Sequence, residues 1–169
     1  RSAGSDPADP SSQPNGCPDD PTCAKCERAI AKEGAKYSQA RSKALVKCEL
    51  AKVGGGLPPA TDCTVESAGQ LAKAATKLAS GIAKACGGSD KACGGVLTGE
   101  TAPAALGWPA ACPDFQGQGC TNAIGTCADI ATCLTCVADA SLAASTALYF
   151  DDLAASAPGT DVNKCQQTI

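Results

Sequence analysis

The chain has 169 residues, a net charge of −3 and thirteen cysteines, with no histidine and no methionine. Lacking histidine, it lacks the commonest general base and metal ligand, so Ser-His catalysis and C-x-x-C-H haem attachment are excluded and sulfur is the only soft donor. Five aromatic residues (Tyr37, Trp108, Phe115, Tyr149 and Phe150) and much alanine make a thin core, so cysteine at this density predicts a disulfide framework and an oxidising compartment.

Arg1 opens the chain without an initiator methionine or an apolar leader, which reads as a mature product whose export signal has been removed. Residues 1–22, rich in Ser, Pro, Asp and Gly and without periodicity, predict an extended or disordered arm anchored at Cys17 or Cys23. A long helix follows, with Thr22 as its expected N-cap. Its apolar stripe is Cys26, Ile30, Gly34, Tyr37, Ala40, Ala44, Cys48 and Ala51, it stops at Gly54-Gly55-Gly56, and Pro58-Pro59 forces a turn. A second helix starts at Asp62 or Thr64 and carries the stripe Val65, Ala68, Leu71, Ala75, Leu78, Ile82 and Cys86. Lys73, Lys77 and Lys84 lie on its outer face, and Gly87-Gly88 ends it. The two helices predict an antiparallel hairpin over residues 23–88. Cys26 and Cys48 would stand about 33 Å apart on one helix and cannot bond each other. Antiparallel packing instead pairs Cys26 with Cys86 and Cys48 with Cys63.

Beyond the hairpin, residues 89–119 form a Gly/Pro-rich loop region in which Pro103, Pro109 and Pro113 break any long element and Trp108 plugs the loop onto the helices. Residues 120–169 predict a second helical region, with one helix from Thr121 to about Ile130 and another from Thr132 to about Ser156. The apolar run Cys133 to Phe150 contains Asp139 and several Ser, Thr and Ala residues, which favours a buried helix over a membrane span. With weak strand signals throughout, the fold class is all-α: disulfide-stapled helical hairpins or a bundle, with long loops.

Lys164, Cys165 and Ile169 repeat the spacing of Lys25, Cys26 and Ile30 after 139 residues, so the last residues read as the first turn of a further unit. Cys23/Cys26 and Cys133/Cys136 are two C-x2-C pairs. Four segments carry a resemblance: Cys26 to Cys48, Lys84 to Gly95, Gly107-Trp108-Pro109 through Cys112-Pro113, and Cys120 to Cys136. In these the chain resembles uncharacterised cysteine-rich helical repeats of predicted exported bacterial proteins. The resemblance implies export and a disulfide-bonded helical unit, and it transfers no catalytic residue.

Other constellations have plainer readings. Two C-x2-C pairs can grip one zinc ion or act as redox dithiols at helix starts, but many cysteines compete and no βαβ pattern surrounds them, so disulfides are preferred and neither a metal nor another cofactor is expected. Asp19-Asp20 and Asp151-Asp152 read as solvated acids. Lys25, Lys32, Lys36, Lys43, Lys47 and Lys52 alternate with Glu27, Glu33 and Glu49 without interleaved aromatics, which reads as a salt-bridged face and not as a nucleic-acid surface.

Residues 22–91 carry twelve basic and six acidic residues, a balance of +6, whereas residues 92–163 carry seven acids and no base, a balance of −7. An odd cysteine count leaves one thiol free or bonded to another molecule. Together these features predict an exported, non-enzymatic structural protein whose copies associate head to tail into an extracellular filament or surface layer. The alternatives are a secreted binding module that uses the 87–119 loop with Trp108 and Phe115, and a metal-thiolate or redox protein. The disulfide candidates are Cys26, Cys86, Cys48, Cys63, Cys133, Cys136 and Cys165.

Overall fold

The computed structural model describes residues 17, 20–94, 99–115 and 117–150. Helix α1, Pro21–Val53, starts earlier than Thr22 because Asp20 and Pro21 suit the boundary better. The Asp20 carboxylate accepts the Thr22 amide at 2.8 Å, and Pro21 occupies a first-turn position where its missing N–H costs nothing. At 33 residues, α1 is about 50 Å long. Gly54 ends it, as expected.

Asp62 caps the next helical segment by accepting from the amides of Thr64 and Val65. The expected second helix is interrupted, however, giving a single turn α2, Cys63–Glu66, and then α3, Ala68–Cys86. Ser67 breaks it. Its buried hydroxyl reaches the Ala44 carbonyl of α1 at 3.4 Å, and its backbone leaves helical geometry. The break turns Val65 outward (71% exposed) and leaves Ala68 in solvent, against the sequence expectation. Beyond Ser67 the buried stripe is Leu71, Ala74, Leu78, Ile82 and Cys86, with Ala74 in place of Ala75.

The helix expected from Thr121 begins only at Cys127, and it runs on through Ala131 without a break into the one expected from Thr132; residues 121–126 are not helical. Residues 122–124 instead approach the chain antiparallel near Ala111: the Cys112 amide donates to the Asn122 carbonyl and the Ile124 amide to the Ala110 carbonyl. A single helix α4, Cys127–Phe150, follows. A 3-10 turn at Pro103–Leu106 ends in a left-handed Gly107 and precedes Trp108, which is half-buried against the main core.

Helix α3 runs antiparallel to α1 and α4 runs parallel to it. The first relation follows from the contacts of Cys26 with Cys86 and of Ala44 with Ser67. The second follows from the order Gly34 to Leu134, Tyr37 to Asp139 and Leu45 to Leu142. Because α1 packs against two partners, its buried face is wider than the single predicted stripe: Arg41, Leu45 and Glu49 are buried and Ala40 is exposed.

The main core joins α1, α3, the loops and the first half of α4, and centres on Leu78, Ile82 and Ile130. Leu45, Cys48 and Cys63 form a smaller cluster with Leu57 and Leu142. The second half of α4 is only partly covered, which corrects the expectation of a buried helix: Leu148 and Tyr149 are exposed. The helix is long and apolar enough to cross a membrane by length and composition. Its first half nevertheless lies in the bundle core.

Candidate functional site

Six disulfides consume twelve cysteines. Cys26–Cys86 and Cys48–Cys63 join α1 to the α2–α3 arm, the two pairs expected of the hairpin. Cys133 bonds Cys112 and Cys136 bonds Cys120, so successive turns of α4 hold opposite ends of one loop. Cys17–Cys23 and Cys93–Cys127 complete the set. Cys165 lies outside the described residues, as do Asp19, Asp151 and Asp152.

These pairings redefine both C-x2-C motifs. Cys23 and Cys26 bond different partners, and so do Cys133 and Cys136, so neither motif closes on itself as a dithiol-disulfide couple does. Moreover Cys133 and Cys136 lie about two turns or more inside α4, away from the helix start where the dipole would acidify a thiol. Among the described residues, the closest approach to a metal donor set is Cys93, Glu100 and Cys127, whose ligand atoms lie within 4.8 Å of one another. Both sulfurs are bonded to each other, and the Glu100 oxygens accept the amides of Cys127 and Gly94 at 2.6 and 2.8 Å. The set fits a metal ion only after reduction.

Two surface grooves flank α3. One, of about 820 Å³, lies between α1 and α3, and Lys36, Lys73, Lys77 and Lys84 line it with a single acid, Glu33. Glu33 is 2.7 Å from Lys36, whereas Lys73, Lys77 and Lys84 make no ion pair among the described residues. Helix α3 itself contains no Asp or Glu. The other groove, of about 660 Å³, lies between α3 and α4 and is floored by small residues, with Asp139 at its edge.

Asp139 belongs to a polar bridge that periodicity did not reveal. Its Oδ1 accepts the Tyr37 hydroxyl at 2.6 Å and pairs with Arg41 Nη1 at 3.0 Å, tying α4 to α1. Burial first, and then this hydrogen bond, push the Tyr37 phenol up to about 12. Arg41 Nε is buried without a hydrogen-bond partner. An arginine among lysines and a single acid in an apolar run were the available signals, but pairing them requires the α1–α4 register.

The segment between Cys112 and Cys120 is tied down at both ends and again by Asp114, which accepts the amides of Gln118 and Gly119. The Gly119 bond leads in holding the Asp114 carboxyl below its usual range. Phe115 stands on this braced loop, 77% exposed. Of the two expected contact residues, therefore, Trp108 packs inward and Phe115 faces solvent.

A chain with this many disulfides belongs to an oxidising environment. No family model, no curated protein and no solved structure matches it.

Proposed function

We propose that this protein is an exported, non-enzymatic structural subunit that associates with copies of itself, head to tail, in an extracellular filament or surface layer. The carrying observation is the disulfide accounting. Twelve cysteines are mutually satisfied, so Cys165 has no partner left within this sequence and can bond a neighbouring copy without breaking any internal staple. The +6 and −7 balances of residues 22–91 and 92–163 supply long-range complementarity between copies. The sequence resemblance to cysteine-rich repeats of exported bacterial proteins agrees with this reading.

Non-reducing electrophoresis and electron microscopy of the purified protein test it. The expected result is covalent dimers or larger species that disappear in Cys165→Ser, together with ordered assemblies at high concentration. A strictly monomeric protein with one titratable thiol would overturn the reading.

A second reading rests on Phe115. An exposed aromatic on a loop braced by two disulfides and Asp114 has the pre-organisation of a binding anchor, which keeps the ordering cost of a contact low. In that case the bundle is a scaffold and the loop meets a foreign partner.

A further inference from the structure

We propose that the lysine-lined groove between α1 and α3 is the docking site for the acidic segment 151–163 of a second copy. The proposal deepens the self-association reading and rests on it. It begins from where the acidic half keeps its carboxylates. All four acids of that half among the described residues are engaged at home. Glu100 accepts the amides of Gly94 and Cys127, Asp114 those of Gln118 and Gly119, and Asp129 those of Gly125 and Thr126, while Asp139 holds Tyr37 and Arg41. The remaining three acids are Asp151, Asp152 and Asp161, in a stretch without a single Lys or Arg.

The groove offers the complement. Lys73, Lys77 and Lys84 project from one face of an acid-free helix and have no ion pair among the described residues, and Lys36 adds to them from α1. From Lys73 to Lys84 the row is about 17 Å long, a length that an extended acidic peptide of a few residues follows.

Reach then selects the copy. Helix α4 is parallel to α1, and its Leu142 packs at the level of Cys48 and Cys63. Phe150 lies about 12 Å further along the bundle, while Lys73 lies about 15 Å from Cys63 in the opposite direction. Two residues of extended chain span at most about 7 Å, so Asp151 and Asp152 fall short of the groove of their own chain. Only another molecule brings all three acids to the lysines.

The test is sedimentation of the full chain carrying Cys165→Ser, so that no covalent link hides a weak contact. Two variants are compared with this parent, Lys73→Glu/Lys77→Glu/Lys84→Glu and Asp151→Lys/Asp152→Lys/Asp161→Lys, each checked by circular dichroism for native helix content. Each is expected to weaken self-association at least about tenfold, through like-charge juxtaposition, and an equimolar mixture to restore it because the swapped charges match again. If both variants associate as the parent does, the groove serves a foreign polyanion or nothing; the proposal falls and self-association stands. Tighter association in the variants would mean that the segment blocks its own groove, which also overturns the proposal. A Cys165→Ser parent that is monomeric while the wild type is disulfide-linked removes the docking step alone. A wild type that is monomeric as well removes both readings.

Discussion

Tyr37 shows how a thin alanine-rich core still fixes one helix against another. Its ring is buried, and its hydroxyl is the donor to Asp139, which also faces the Arg41 guanidinium. Ionising the phenol would bury a charge, give up the hydrogen bond to Asp139 and set two negative charges side by side, and the raised value of about 12 expresses those costs in that order. Because the folded state holds this proton more tightly than the unfolded chain, the contribution is complete below about pH 10 and is lost as the pH rises towards 12. Tyr37→Phe removes both the hydrogen bond and the titration. Near pH 8 the variant is expected to be less stable than wild type by about 1 kcal/mol, the net worth of one buried hydrogen bond. Between about pH 10 and 12 that gap should close and then reverse, since wild type alone loses on the order of 2 kcal/mol there. Denaturant unfolding of both proteins across this range decides the matter, and a gap that stays constant would show that the phenol is not held protonated.

At the scale of elements, the start of α4 depends on a local device. Thr126 and Asp129 form a capping box. Asp129 Oδ2 accepts the Thr126 amide at 2.8 Å, and Thr126 Oγ1 accepts the Asp129 amide at 3.4 Å. The Thr126 hydroxyl bond leads in holding the Asp129 carboxyl below its usual value, against an opposing contribution from burial. Stability from this group is therefore present above about pH 4 and is lost as the pH falls through its lowered value. Asp129→Ala is expected to cost about 1 kcal/mol near neutral pH, and Thr126→Ala a similar amount, with the double variant costing less than the sum of the two. Urea unfolding with the disulfides intact measures all three; full additivity would show that the two side chains do not act as a pair. The Thr-x-x-Asp pattern was present in the sequence and marks the true helix start, which apolar periodicity had placed earlier, at Thr121. The hairpin was legible because its cysteines sit at helix ends, where a fixed rise per residue excludes wrong partners. The break at Ser67 was not, because its cause is a carbonyl more than twenty residues away, at Ala44.

For the whole molecule, the loops from Gly87 to Thr126 were the least legible part. Cys93, Cys112 and Cys120 lie in non-helical chain, where spacing carries no direction, so their partners on α4 depend on how the loop returns across the bundle. That return is confined at Gly87, where a Cβ would stand 2.5 Å from the Ala92 carbonyl oxygen, and at Gly88, whose φ of +71° brings it against the backbone of Gly99. The lysine row of α3 was visible as a pattern, but its meeting with α1 to make a groove required the fold.

The six staples should not contribute equally if chain entropy sets their worth. Cys26–Cys86 spans a sequence separation of 60 residues and Cys17–Cys23 one of 6. The loop-closure relation assigns about 4 kcal/mol to the longer loop and about 2 kcal/mol to the shorter. Cys26→Ala/Cys86→Ala is therefore expected to cost about twice as much as Cys17→Ala/Cys23→Ala in thermal unfolding at fixed pH. Both sulfurs of the longer link are also fully buried in the main core, so truncating them leaves a void that adds to the loss. Equal losses from the two variants would mean that the packed helices, and not the closed loops, carry the stability of the fold. In that event the small alanine-rich core would have to be self-sufficient, and reduction of the remaining disulfides should leave the helix content of the bundle intact.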